Sequence, residues 1–288
     1  MGASSPRRTE AGRRPPGLPL LLATWRRQVS SKSSSETGSP ARSTREAIFF
    51  WEQLSAPCLQ PGRKVKLKGE MIEFTCQAFL FDMDGVLADS TPAVGRVWAQ
   101  WAREHNLDPE EVVRRAHGRP SLTTIREYLP EGDHLQENRE IERRELAGVE
   151  EIVTFPGAQQ LLASLPQERW AIVTSSTRRL AEARHRATGL PRPRCFITSD
   201  DVTRGKPDPQ PYLLAAQALG FAIADCVVVE DVGAGIRAGK AAGARVIALQ
   251  TTASPAELLA AEPDWIVPDC SFLSVSAAPE GLRVELNA

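Results

Sequence analysis

The chain has 288 residues, of which 42% are hydrophobic and 25% are charged, and this suits one or two globular domains with a sizeable core. Its formal net charge of -1 gives no general basic surface, so the composition argues against a nucleic-acid-binding protein. The five cysteines are widely spaced and form no CxxC or Cys/His pattern, so we expect reduced, mostly buried thiols rather than disulfides or a zinc site.

Residues 1–70 are rich in Arg, Ser, Pro and Gly and lack sustained hydrophobic periodicity, which predicts a disordered extension. Their longest apolar run, Leu18 to Ala23, is far shorter than the ~20 residues that cross a bilayer, and no later segment reaches that length. We therefore expect no membrane-embedded helix. Two interpretations of the extension stay open: an organelle transit peptide, or an artefact of start-site assignment with translation beginning at Met71. We prefer the second, which places the protein in the cytoplasm rather than in an organelle matrix.

From Phe74 onward, apolar segments of strand length alternate with segments of helical period. This alternation is typical of an α/β protein with a parallel, Rossmann-like sheet. A helix should begin at Pro209, capped by Asp208, and end at Gly220, because proline suits the first turn and glycine ends helices. The predicted strands are Phe74–Phe81, Trp170–Thr174, Cys195–Thr198, Cys226–Val229, Arg245–Leu249 and Trp265–Val267.

A long segment with helical periodicity separates the first two predicted strands. Trp98 and Trp101 fall on one apolar face of its first helix. A helical block of this size is too large for a loop. We therefore predict an all-helical cap domain, residues 91–153, inserted into an α/β core made of residues 71–90 and 154–275.

The strongest motif is FDMDGVL, at the end of the first predicted strand. Asp82 and Asp84 are two residues apart, so their side chains point the same way in an extended chain, and Gly85 permits a sharp turn after them. Two adjacent carboxylates are costly unless a cation or a shared proton relieves their repulsion. A pair of surface acids in a turn is the alternative. An EF-hand loop is excluded, because its glycine belongs at the sixth loop position and here stands at the fourth.

Polar side chains also follow the next strands. Ser175 and Ser176 precede a helix whose N-terminal amides favour an anion, although serines also serve there as helix caps. Lys206 stands between turn-forming residues in GKPDP, and Glu230 with Asp231 ends a later strand. Open α/β sheets bind ligands at the carboxyl ends of their strands, so we expect these groups to meet the first acid pair.

This combination of groups matches the needs of phosphoryl transfer. Mg²⁺ prefers oxygen ligands in octahedral geometry, and Asp82, Asp231 and the Asp84 carbonyl would supply them. Lys206 and the Ser175 hydroxyl would offset the charge that builds on the transferred phosphoryl oxygens. The sequence therefore predicts a phosphate ester as the substrate and Mg²⁺ as the cofactor.

Four motifs occur in order, FDMDGVLADS, VTSS, RGKPDP and VVVEDVGAGIRAGKAAG, and with them the chain resembles the phosphatase and phosphomutase group of the haloacid dehalogenase-like superfamily. The segments WAIVTSSTR, GKPDPQPYLLAAQALG and AHGRPSLTTI are most similar to the glycerol-3-phosphate and 2-deoxyglucose-6-phosphate phosphatases. The resemblance implies a phosphoric monoester hydrolase that acts on a small phosphorylated sugar or polyol. Neither nucleic acid nor a membrane is expected as a partner, and the oligomeric state stays open.

The resemblance also implies a role for each motif residue. Asp82 would be the nucleophile that forms an aspartyl-phosphate, and Asp84 would first protonate the leaving alcohol and then activate water. The expected phosphate ligands are Ser175, Ser176 and Lys206. The expected Mg²⁺ ligands are Asp82, Asp84, Asp231 and Glu230, the last either as a ligand or as a neighbour of one.

Other functions fit the sequence less well, with one exception. A phosphomutase similar to β-phosphoglucomutase would use the same core motifs, and this alternative stays open. A dehalogenase would leave Asp84 without a role, and a non-catalytic module would be expected to have lost Asp82, Asp84 or Lys206. The segment GAGIRA matches a permissive dinucleotide fingerprint, but the acid needed about twenty residues further on is missing.

In the predicted cap, the segment His117-Gly118-Arg119 is the candidate for substrate selection. Its two polar side chains stand between two cap helices, where the cap would face the phosphate site. Arg119 would bind the hydroxyls or the phosphate of the substrate. In the alternative, Gly118 ends one helix, Pro120 begins the next, and both polar side chains are solvated.

Overall fold

The structure, a computed structural model, describes residues 71–287, so the expectations for residues 1–70 lie outside the described residues. Its strands are β1 (Ile72–Cys76), β2 (Ala78–Phe81), β3 (Ala88–Asp89), β4 (Val153–Thr154), β5 (Trp170–Val173), β6 (Cys195–Ile197), β7 (Cys226–Glu230), β8 (Arg245–Leu249), β9 (Trp265–Val267), β10 (Leu273–Ala278) and β11 (Gly281–Leu286). Its α-helices are α1 (Thr91–Glu104), α2 (Pro109–Ala116), α3 (Ser121–Tyr128), α4 (His134–Ala147), α5 (Ala158–Ser164), α6 (Arg178–Thr188), α7 (Gln210–Leu219), α8 (Gly233–Ala242) and α9 (Pro255–Ala260).

A six-stranded parallel sheet, in the order β6-β5-β2-β7-β8-β9, forms the centre of the fold. In β2, Leu80 pairs with Ala171 of β5 on one side and with Val228 of β7 on the other. The predicted α/β, Rossmann-like fold class is confirmed. Because these strands are parallel, the carboxyl ends of β5, β2 and β7 lie side by side at one edge of the sheet.

Both faces of the parallel sheet are covered. Phe79 and Phe81 of β2 belong to the core that includes residues of α5, β10 and β11, whereas Ala78 and Leu80 belong to the core under α7 and α8. All four side chains are fully buried. A strand that is buried on both faces needs an uninterrupted apolar sequence, which is why these strands were recognisable as apolar runs.

The first predicted strand is wrong in one respect, because the chain turns at Gln77. β1 leaves the parallel sheet and joins an antiparallel sheet in the order β1-β11-β10. The backbone amide of Gln77 donates to the Asp225 carbonyl (2.8 Å), and its side chain joins the Glu280 carbonyl (2.6 Å) to Arg169 (2.9 Å). These three contacts hold the turn in place, whereas the apolar sequence on either side suggests one continuous strand.

The hairpin β10-β11 was not predicted, and the predicted core ended at residue 275. Leu282, Val284 and Leu286 of β11 are fully buried in the same core as Phe79 and Phe81. The chain beyond residue 275 is therefore part of the core.

The remaining predicted elements agree with the structure to within one residue. The helix predicted from Pro209 begins at Gln210, whose amide donates to the Asp208 carboxylate (2.9 Å), and it ends at Gly220 as expected.

The segment between β3 and β4 consists of helices α1 to α4. At the start of α2, the Asp108 carboxylate accepts hydrogen bonds from the amides of Glu110 (2.9 Å) and Glu111 (3.4 Å). The antiparallel pair β3-β4 closes the base of the segment. Its status as a separate domain stays a prediction, although the four helices share an apolar cluster of their own that contains Trp98, Trp101, Ala102, Val112, Ala116, Ile125 and Ile141.

Four cysteines lie in the described part of the chain, and all four are free and buried. Burial raises the pKa of the Cys76 thiol to about 12 and that of Cys226 to about 11, so these thiols stay protonated and unreactive. Between residues 71 and 287, no helix has both the length and the apolar character that a membrane span requires.

Candidate active site

Asp82 directly follows the central strand β2, and only 5% of its surface is exposed. Gly85 turns the chain away from the sheet with a φ of +87°. A Cβ atom at this position would overlap the Asp231 carboxylate, so glycine serves both the backbone conformation and the close approach of Asp231. The turn thereby brings the two predicted acid pairs together.

Lys206 provides a buried positive charge beside Asp82. Its Nζ donates to Asp82 (2.6 Å), to Glu230 (2.6 Å) and to the Val173 carbonyl (2.9 Å), which uses all three ammonium protons. Burial alone would lower the pKa of Lys206, but the carboxylates of Asp82 and Glu230 outweigh burial and raise it. Lys206 therefore remains a cation in the site.

The charge of Lys206 is not enough to balance the acids around it. Burial raises the pKa of Asp82 well above its usual range; Lys206 opposes this rise, and the carboxylates of Glu230 and Asp231 add to it. A carboxylate must be ionised to attack as a nucleophile. The site therefore calls for more positive charge than the protein supplies.

The residues fit a divalent cation. Asp82, Glu230 and Asp231 each present a carboxylate oxygen, and the three oxygens lie within 4.8 Å of one another. Oδ2 of Asp231 accepts a hydrogen bond from Thr252 and lies 3.4 Å from His117 Nε2, but Oδ1 is buried without a hydrogen-bond partner. A buried carboxylate oxygen without a donor is costly, and a hard cation such as Mg²⁺ would satisfy it.

Glu230 is held more tightly than Asp231. Its Oε1 accepts from Lys206 (2.6 Å) and Tyr212 (2.5 Å), and its Oε2 accepts from the backbone amide of Asp231 (3.2 Å). Helix α8 begins so close to Glu230 that a Cβ atom at Gly235 would overlap its carboxylate. Gly235 is the second glycine of GAGIRA, the segment that resembled a dinucleotide fingerprint. The close approach of Glu230 explains why a glycine stands there.

Asp84 has a separate set of hydrogen-bond donors. Its Oδ1 accepts from the Ser90 hydroxyl (2.7 Å), and its Oδ2 accepts from Arg184 (2.8 Å) and from Ser176 (3.2 Å). The two predicted catalytic carboxylates thus have different cationic partners, Lys206 for Asp82 and Arg184 for Asp84. Such different surroundings suit two carboxylates with different tasks.

The two serines predicted as phosphate ligands differ in their contacts. The Ser175 hydroxyl is buried and has no hydrogen-bond partner, so it is free to donate to a phosphate oxygen. The Ser176 hydroxyl already donates to Asp84. The geometry therefore supports the expected role for Ser175 more directly than for Ser176.

Both predicted cap residues line the cavity that contains Asp82 and Asp84. Burial alone would lower the pKa of His117, but its contact with Asp231 outweighs burial and raises it. Arg119 donates to Glu127 of α3 (2.9 Å), and 24% of its side chain is exposed. The structure thus brings the segment to the catalytic edge of the sheet, and its role in substrate selection stays a prediction.

Five residues that were not predicted reach the site without belonging to a motif. Two of them carried a usable signal, because Arg184 lies four residues after the buried Leu180 on α6 and Glu145 lies four residues after the buried Ile141 on α4. The others are Glu142, Tyr212 and Thr252.

The fold and this arrangement of acids, lysine and serine are typical of one class of hydrolases, and the similarity to known proteins identifies that class. The family model for haloacid dehalogenase-like hydrolase matches residues 76–243, and the chain belongs to this family. It is 44% identical over 211 residues to hexitol phosphatase A of Escherichia coli (strain K12), a match that covers 72% of this chain and 97% of that protein.

Two further comparisons agree with this family. Glycerol-1-phosphate phosphohydrolase 2 of Saccharomyces cerevisiae is 36% identical, with coverage of 61% of this chain and 75% of that protein. The crystal structure of a hydrolase from Pseudomonas syringae superimposes with a TM-score of 0.61 at 26% identity, covering 67% of this chain and 94% of that one. The resemblance to this superfamily and to its sugar and polyol phosphatases is therefore confirmed.

Proposed function

We propose that the protein is a Mg²⁺-dependent phosphatase that hydrolyses a small sugar or polyol phosphate through an aspartyl-phosphate on Asp82. The observation that carries this proposal is the surroundings of Asp82. A buried carboxylate next to Lys206, to an unpartnered oxygen of Asp231 and to an unpartnered hydroxyl of Ser175 is suited to accept a phosphoryl group.

The proposed reaction has two steps. In the first, a carboxylate oxygen of Asp82 attacks phosphorus, the bond from phosphorus to the substrate oxygen breaks, and Asp84 gives its proton to the leaving alcohol. In the second, Asp84 takes a proton from water as the water oxygen attacks phosphorus. The bond between Asp82 and phosphorus then breaks, and inorganic phosphate leaves.

The cation would be held by the carboxylates of Asp82 and Asp231 and by the backbone carbonyl of Asp84, with Glu230 fixing Lys206 beside them. When bound, Mg²⁺ would neutralise charge on the transferred phosphoryl oxygens. Lys206 stabilises the same charge from the side of β5 and β7, and the Ser175 hydroxyl donates to a phosphoryl oxygen.

The named relatives support hydrolysis of a polyol or sugar phosphate, because two of them are called phosphatase or phosphohydrolase and their names refer to hexitol and glycerol phosphates. His117 and Arg119 would select the substrate from the cap side. A phosphomutase would share every core contact described above, so the products must decide between the two.

The proposal is tested by measuring inorganic phosphate released from hexitol, glycerol and hexose phosphates, with Mg²⁺ and with a chelator. Release is expected only with Mg²⁺, to be abolished in Asp82→Asn, and to fall by about 10²- to 10⁴-fold in Asp84→Asn, which loses the proton transfer. Asp108→Asn makes the same change at a helix N-cap outside the cavity, where asparagine caps equally well, and should keep full activity. Normal release by Asp82→Asn, or an isomeric sugar phosphate as the product, would contradict the proposal.

A further inference from the structure

Arg184 of α6 is a buried charge that the reaction described above does not use. Only 4% of its surface is exposed, whereas 70% of the side chain of Arg186, on the same helix, is exposed. A buried guanidinium costs free energy unless anionic groups surround it. The groups that Arg184 contacts therefore indicate its role.

Those partners lie on both sides of the cavity. On the core side, Nη1 donates to Asp84 (2.8 Å) and to the Ser176 hydroxyl (2.9 Å). On the side of α4, Nη2 donates to Glu145 (3.0 Å), whose surface is 9% exposed. Because a guanidinium is planar and presents its donors in fixed directions, Arg184 links the two carboxylates through one rigid group.

We propose that Arg184 is a positioning residue, which orients Asp84 toward the oxygen of the leaving alcohol, and that Glu145 fixes the guanidinium from the α4 side. This inference rests on the proposed role of Asp84 as the acid. Four donors surround the Asp84 carboxylate: the hydroxyls of Ser90, Ser176 and Thr174 and the guanidinium of Arg184, which is the charged one among them. Without Arg184, only uncharged hydroxyls would hold the carboxylate, and its direction would be less well defined.

Two substrates with different leaving groups distinguish a positioning role of Arg184 from its other possible roles. An alkoxide needs a proton as it leaves, so hydrolysis of glycerol 1-phosphate depends on a correctly oriented Asp84. The p-nitrophenolate ion leaves without a proton, so p-nitrophenyl phosphate depends on Asp84 much less in the step that kcat/KM reports. A residue that only supports the fold, or that binds the transferred phosphate, would affect both substrates equally.

The experiment measures kcat/KM for both substrates with the full-length protein and Mg²⁺. In Arg184→Met, the ratio of kcat/KM for glycerol 1-phosphate to that for p-nitrophenyl phosphate is expected to fall by about 10²-fold, the size of a general-acid contribution. Arg184→Lys, which keeps the charge but lacks the planar fork that joins the two carboxylates, and Glu145→Gln should lower the ratio in the same direction but less. Arg186→Met, on the exposed face of α6, should leave the ratio at the wild-type value.

An unchanged ratio in folded Arg184→Met would overturn the inference, as would equal losses on both substrates. If Arg184→Met does not fold, Arg184→Lys and Glu145→Gln carry the test, and an unchanged ratio in both would overturn it. Failure of the proposed function looks different, because the wild-type protein would then release phosphate from neither substrate.

Discussion

The Asp231 carboxylate occupies the space into which a side chain at position 85 would project. We expect Gly85→Ala to lower the free energy of unfolding by about 1 to 3 kcal/mol, because alanine is strained at a φ of +87°. Since its Cβ would displace the Asp231 carboxylate, phosphate release should also fall sharply. Denaturant unfolding and steady-state kinetics on the same sample measure both effects.

Gly220→Ala is the matched control for this prediction. Gly220 also has a positive φ, +82°, but a Cβ atom there would meet nothing within 4 Å. Gly220→Ala should lose a similar amount of stability through the same backbone strain, about 1 to 3 kcal/mol, with no change in kcat. Normal kcat in Gly85→Ala would show that the position of Asp231 does not matter for turnover.

Arg119 and Arg115 share Glu127 as an ion-pair partner, but only Arg119 lines the cavity. We expect Arg119→Ala to lower kcat/KM for a preferred sugar or polyol phosphate by roughly tenfold relative to p-nitrophenyl phosphate, about the worth of one charged hydrogen bond. Arg115→Ala should leave that ratio unchanged. Equal losses on all substrates would place Arg119 among the general phosphate ligands, and no loss would make it a surface residue.

The C-terminal hairpin β10-β11 joins β1, the first strand of the described chain, to the core. Leu282 of β11 pairs with Cys76 of β1 and is fully buried. We expect Leu282→Ala to lower the free energy of unfolding by about 2 to 5 kcal/mol, the usual cost of removing a buried leucine side chain. The active-site residues lie on other elements, so kcat at low temperature should be retained.

The neighbouring Arg283 provides the control, because its ion pair with Glu73 is exposed on both sides. Arg283→Ala should change stability by less than about 1 kcal/mol. If Leu282→Ala were equally harmless in thermal unfolding, β11 would not belong to the cooperative core.

The strands of the parallel sheet could be predicted from sequence because each is an apolar run of suitable length bounded by turn residues. The hairpin carries a signal too, since LRVEL alternates between buried and exposed residues. Its partner β1, however, lies about two hundred residues earlier in the chain, and such a distant pairing leaves no local pattern. For the same reason the turn at Gln77 was missed, because the contacts that hold it come from distant residues.

For the molecule as a whole, the positions of the motif residues could be predicted because parallel strands present their carboxyl ends at one edge. Asp82, Asp231 and Lys206 meet there, as their places in the sequence required. Arg184 and Thr252 reach the same site from a helix and a loop without any motif. The helical period marks Arg184 as a core-facing position, but which groups Arg184 and Thr252 meet depends on how whole elements pack.

A protein shortened to begin at Met71 is expected to fold and to keep its kcat. Strand β1 begins at Ile72, and the residues assigned to the reaction lie between Asp82 and Asp231. Thermal unfolding and phosphate release, each compared with the full-length protein, test this expectation. A large fall in Tm would show that residues 1–70 contribute to the stability of the fold.

In the proposed mechanism, Asp82 carries the phosphoryl group between substrate and water. The most direct measurement is acid quenching of the protein during turnover of a radiolabelled sugar phosphate with Mg²⁺, followed by peptide mapping. We expect label on the peptide that contains Asp82, released by hydroxylamine as an acyl phosphate should be, and no label on Asp82→Asn. Steady turnover without any labelled peptide, or label that persists in Asp82→Asn, would contradict this role of Asp82.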